Sequence, residues 1–193
     1  MSVKALKLLR VEASPPPAAA TLQRCNASTI LIANRQRTKK INSRRLKQIV
    51  VALLAELEIA EAEIGINLVG AKEMARVNWR FLQHEGSTDV ITFDHRDVGQ
   101  ASRLPRTKIS RNGDRRDACP TIHGELFICV DDAAAQANQF KTSWQSEIVR
   151  YIVHGVLHLL GHDDLKPALR RKMKREENRL VRRLAKQFSF GQL

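Results

Sequence analysis

Apolar residues recur along this chain in two distinct periods, and their alternation outlines the fold. Residues 29–33 (TILIA) are β-branched and apolar and predict a strand. Leu46, Ile49, Val50, Leu53, Leu54 and Leu57 then follow the helical period, behind Asn42 and Ser43 as candidate caps. Residues 64–69 predict a second strand, and residues 71–82 a short helix carrying Met74, Val77, Asn78 and Phe81. Residues 89–93 and 125–130 predict two more strands, and residues 131–140 a short helix opened by two carboxylates. A longer helix starts at Thr142 or Ser143, where Thr142 with Gln145 fits a capping box; Gly161 suits its C-terminal left-handed position. Pro167 opens a last helix with Leu169, Met173, Leu180 and Leu184 as its apolar stripe, amid many Arg and Lys. No internal repeat is visible. The order of elements predicts one α+β domain, a four-stranded sheet covered by helices.

Composition sets the domain limits. Of 193 residues, 43% are hydrophobic, enough to build a core without staples. Residues 1–27, with Ser14-Pro15-Pro16-Pro17 and an alanine run, are read as a flexible leader, and residues 28–193 as the domain. The thirty residues from Asp94 to His123 hold seven Arg or Lys, two prolines and two glycines. This basic loop is read either as an RNA contact or as a plain insertion. No run approaches the about 18 uncharged apolar residues of a membrane helix, and the N-terminal stretch lacks a secretory apolar run. A cytoplasmic location is expected, without membrane association. Cys25, Cys119 and Cys129 are odd in number and widely spaced, which speaks against a disulfide framework or zinc ribbon. Cys129, in an apolar run, reads as a small buried hydrophobe.

Charge narrows the partners. Thirty-three basic against twenty acidic residues give +13, which favours polyanions through counterion release. Aromatic residues make up only 5%, too few for a platform that stacks successive bases. Contact with nucleic acid is therefore expected to run mainly through phosphates.

The candidate chemistry lies in Val153-His154-Gly155-Val156-Leu157-His158-Leu159-Leu160-Gly161-His162-Asp163-Asp164. Histidines four apart on a helix share one face and can both reach one ion. Gly161 stops the helix, so the chain can turn back and offer a third ligand. Asp164 is the candidate at the H-x3-H-x5-D spacing, and His162 is its rival. Three protein ligands would leave one coordination position open, the layout of a catalytic rather than a closed site. Asp163 and Asp164 also have a plain alternative role, at the start of the last helix. Zinc suits two imidazoles and a carboxylate, and other divalent ions are not excluded.

This segment resembles the helix motif H-G-x-L-H-L-x-G-Y-D-H of the YbeY endoribonucleases, matching it at His154, Gly155, Leu157, His158, Leu159, Gly161 and Asp163. Thr88-Asp89-Val90-Ile91-Thr92-Phe93 resembles the family's T-D-V-L-S-F, and Gly124-Glu125-Leu126-Phe127-Ile128 resembles its G-D-I-x-I. Asn78 falls on the family's asparagine in the preceding helix. The resemblance spans roughly residues 28–185. It implies a zincin-like metal helix and a single-strand-specific, zinc-dependent endoribonuclease of rRNA maturation at the 16S 3′ end. It also implies a role in ribosome assembly and quality control, with RNA and the small ribosomal subunit as partners and no nucleotide cofactor. His154, His158 and Asp164 would then be both the metal ligands and the catalytic set. The departures are specific: the family's third metal histidine falls on Asp164, its tyrosine on His162 and its arginine on Leu82. Arg80 and His84 are the nearby candidates for contact with RNA. His162 is a candidate general base, since position 155 is glycine where H-E-x-x-H proteases carry glutamate. Two other readings stand beside the nuclease: a zincin-like protease, and a ribosome-binding assembly factor with a structural metal.

Overall fold

A computed structural model of the chain describes residues 9–10 (backbone only), 28–59, 61–96 and 121–193. Its strands are β1 (Leu9–Arg10), β2 (Thr29–Asn34), β3 (Glu61–Val69), β4 (Val90–Asp94) and β5 (Thr121–Cys129). Its helices are α1 (Ser43–Glu56), α2 (Ala71–Leu82), α3 (Val130–Phe140), α4 (Trp144–Leu159) and α5 (Pro167–Gln187), with a closing 3₁₀ turn at Phe190–Gln192. The four expected strands are all present, and the fold is α+β. β1 adds a short fifth strand at the edge, in the order β1-β4-β5-β3-β2. It falls within the stretch read as a leader, the rest of which lies outside the described residues.

β2–α1–β3 is a parallel crossover, β3 pairs parallel with β5, and β4 pairs antiparallel with β5. Alternation along each strand divides the core in two. Ile64, Ile66 and Leu68 of β3 and Leu126 and Ile128 of β5 face the cluster formed with α1, α4 and α5. Val69, Ile91, Phe93 and Cys129 face the smaller cluster under α2, with Met74. Burial pushes the Cys129 thiol up to about 12, so it behaves as the expected inert hydrophobe. Cys25 and Cys119 lie outside the described residues.

Several local expectations change. β5 begins at Thr121, so the last three residues assigned to the basic loop are strand; residues 97–120 lie outside the described residues. Pairing with β3 over nine residues extends β5 beyond its apolar run. The capping box at Thr142 does not form. Ser143 caps α4 by accepting from the Ser146 N–H, while Thr142 Oγ1 donates to Glu147. Leu169 is exposed, whereas Met173, Glu177, Leu180, Val181 and Leu184 are buried on α5. The first turn of α5 stands clear of the core, and the buried stripe starts only at Met173.

α4 positions the site. Its residues from Glu147 to Leu159 are all buried apart from Arg150, which is partly covered. It packs on β4 and β5 at close range, which explains the glycine between the histidines. A Cβ at Gly155 would lie 2.5 Å from Leu126 Cδ2 and 3.1 Å from Thr92 Oγ1. Gly124 of β5 yields in the same way to Leu159 and to the Phe93 carbonyl.

Candidate metal centre

His154 and His158 lie one turn apart on α4, as their spacing predicts. Their Nε2 atoms are 3.1 Å apart. Gly161, at φ +88°, ends the helix, and the His162 N–H closes back on the Leu157 carbonyl. The turn that follows brings Asp164 beside the pair, its Oδ1 3.9 Å from His158 Nε2. One donor atom from each of His154, His158 and Asp164 lies within 4.8 Å of the others. All three residues are almost wholly buried, at 4%, 3% and 2% exposure, which makes their polar partners decisive.

Those partners fix the tautomers. His158 Nδ1 is 3.0 Å from the His162 carbonyl, which can only accept, so Nδ1 carries the proton. His154 Nδ1 is 3.2 Å from Glu177 Oε2. Burial alone would raise the Glu177 carboxyl. The hydrogen bond from His154, the charge and hydrogen bond of Lys174 and the bond from Arg150 instead bring it down to about 2. Glu177 is therefore an acceptor, and His154 Nδ1 is also protonated. With both rings neutral, their Nε2 atoms direct lone pairs at each other. Asp164 Oδ1 joins them, buried and without a hydrogen-bond partner among the described residues. Three electron-rich atoms facing one small space need a cation between them, so the donor set fits a divalent metal. Burial and the neighbouring His154 also push the proton affinity of His158 down, which favours the neutral, ligating form.

The other candidates do not join this donor set. His162 bonds His158 through its backbone carbonyl, and its ring is not among the three converging donors; burial and Lys172 lower its proton affinity. Asp163 forms the turn by accepting from the Leu165 N–H. Arg80 is exposed, its guanidinium carbon 5.6 Å from the centre of the Phe81 ring, and His84 is exposed just beyond α2. Leu82 packs against the cluster that contains Ile91 and Phe93. Sequence reasoning missed Glu177, which orients His154 from 23 residues away. Its one available signal was a carboxylate on the apolar stripe of α5, four residues after Met173 and three before Leu180.

The profile of the family described as "Endoribonuclease YbeY" matches residues 31–185. A protein of Anaeromyxobacter sp. (strain Fw109-5) named "Endoribonuclease YbeY" is 32% identical over 154 residues, covering 80% of this chain and 71% of its own length. One of the same name from Salinibacter ruber is 30% identical over 144 residues, 75% of this chain and 84% of its own length. Among solved structures, the solution structure of TM1509 from Thermotoga maritima is similar with a TM-score of 0.56 at 20% identity, covering 82% of this chain and 91% of that one. At that identity the likeness is one of fold.

Proposed function

Because the chain belongs to the endoribonuclease YbeY family, we propose that it is a metal-dependent endoribonuclease of rRNA maturation whose ion is held by His154, His158 and Asp164. The observation that carries this reading is the convergence of two imidazole lone pairs and an orphaned buried carboxylate oxygen on one space. A bound divalent ion supplies Lewis-acid polarisation of a phosphoryl oxygen and lowers the pKa of water towards neutrality. Zinc is the proposed ion, since imidazole and carboxylate suit it.

The chain's own residues prepare the site. Glu177 and the His162 carbonyl hold the Nδ1 protons and leave both Nε2 atoms free to hold an ion, the outer support that a metal-bound histidine would need. Arg150 and Lys174 keep Glu177 ionised: Arg150 Nη1 lies 2.5 Å and Lys174 Nζ 2.6 Å from Glu177 Oε1. The +13 charge draws the RNA backbone. Single-stranded RNA, the 16S 3′ end and the small ribosomal subunit are the proposed substrate and partners, with the cytoplasm as location. No helix among the described residues is long and apolar enough to cross a membrane.

The protease reading loses support at Gly155. A glutamate there, as in H-E-x-x-H, would drive its Cβ into Leu126 and Thr92. The test is direct. Purified protein is given single-stranded RNA or casein, with and without chelator. The nuclease reading expects chelator-sensitive cleavage of RNA alone. Cleavage of casein, or RNA cleavage no faster than that of a His154→Ala, His158→Ala double variant, contradicts it. In the latter case an assembly factor with a structural metal remains.

A further inference from the structure

Two departures from the family pattern alter the charge around the centre. A carboxylate at 164 in place of an imidazole makes the metal-binding set more negative by one charge. Leu82, where the family has an arginine, packs against an apolar cluster and offers no charge. A phosphodiester at this centre therefore meets one more negative charge and one fewer positive charge than the family pattern provides. A cation must come from elsewhere.

The basic side chains of α2, α4 and α5 have different duties. Arg150 is bonded to Glu177 and Asn178, and Lys174 to Glu177, so both serve the support of His154. Lys172 acts on the ring of His162. Arg80 stands over Phe81, exposed on α2. Arg170 differs from all of these. Its Nε donates to the backbone carbonyl of Asp164 at 3.0 Å. Pro167 opens α5 three residues earlier, and the Arg170 N–H bonds the Lys166 carbonyl, so the helix start fixes where this arginine emerges. Among the described residues its Nη1 and Nη2 groups make no other hydrogen bond or ion pair. An arginine tethered by Nε keeps a planar pair of Nη donors, the geometry that matches phosphate oxygens.

We propose that Arg170 is the phosphate-binding cation of this chain, anchored through Nε on the Asp164 carbonyl and donating from Nη1 and Nη2 to the non-bridging oxygens of the scissile phosphate. This rests on reading the centre as a phosphodiester-cleaving site. It also gives the aspartate a partner: the residue that adds the negative charge carries, on its own carbonyl, the arginine that offsets it.

The experiment uses full-length, zinc-loaded protein and the variants Arg170→Ala, Arg170→Lys and, as a control at the far end of α5, Lys186→Ala. Three quantities are read: zinc per chain, the salt dependence of affinity for a 2′-O-methyl RNA strand, and kcat and KM on the matching RNA strand. Arg170→Ala is expected to keep its zinc and lose kcat by roughly 10²–10³-fold, the scale of removing one transition-state donor. Its log–log salt slope should fall by about one phosphate contact. Arg170→Lys should keep the slope and recover only part of kcat, because a point charge does not replace the fork. Lys186→Ala should leave kcat unchanged. Wild-type kcat in zinc-loaded Arg170→Ala overturns the proposal. So does a variant that loses zinc but regains full kcat once zinc is saturating, since Arg170 would then only staple the turn. If the wild-type protein binds zinc yet never cleaves RNA, the nuclease reading fails, and the salt slope alone decides whether Arg170 binds phosphate.

Discussion

α4 and α5 meet at the same centre but supply it in opposite ways. α4 is buried along nearly its whole length, packs directly on β4 and β5, and presents two rings at fixed helical spacing. α5 is buried along one stripe, carries most of its charge to solvent, and reaches the centre through Glu177 and Arg170. Two of the three ligands stand on one helix and the third on the turn that follows it, while the charges that tune them come from a second helix. Damage to α4 should therefore remove the ion, and damage to α5 should weaken or mistune it.

The largest effect is expected at His158. His158→Ala leaves one imidazole and one carboxylate, and should lose stoichiometric zinc and most activity while the fold survives. Elemental analysis alongside circular dichroism checks this, and full zinc in the variant would erase the distinction between the helices. On the α5 side, Glu177→Gln should lower zinc affinity by about 10–100-fold, the usual scale for outer support of a metal histidine. A competitive zinc titration reads it. Equal losses in His158→Ala and Glu177→Gln would mean that the two helices contribute alike.

What could be read from the sequence follows the same division. The two histidines, the glycine stop and the order of strands and helices show in spacing and periodicity, because α4 and the strands answer to one local rule each. Glu177 was hidden because a carboxylate among Arg175, Glu176, Asn178 and Arg179 looks like a solvated face. Only the packing of α5 on α4 shows that it is buried, with 1% exposure. Leu169 was misplaced for the converse reason: its helical phase is right, but the first turn of α5 stands outside the core. Gly155 was read as a motif match and a missing glutamate, whereas its contacts show that it lets α4 approach the sheet.

A smaller effect should separate fold from ligation within α4 itself. Gly155→Ala should destabilise the protein by about 1–3 kcal/mol through overpacking against Leu126 and Thr92, partly offset by the helix preference for alanine. Chemical denaturation of the zinc-free protein measures it without interference from the ion. An unchanged or raised stability would show that the sheet and α4 have room to spare.

The claim that His154, His158 and Asp164 together hold one ion is tested most directly by zinc titration of Asp164→Ala and His162→Ala against the wild-type chain. One zinc per wild-type chain is expected, with affinity sharply reduced in Asp164→Ala and close to wild type in His162→Ala, whose carbonyl remains in place to bond His158. The reverse ranking would move the third ligand to His162, and a wild-type chain that takes up no divalent ion would contradict the site altogether.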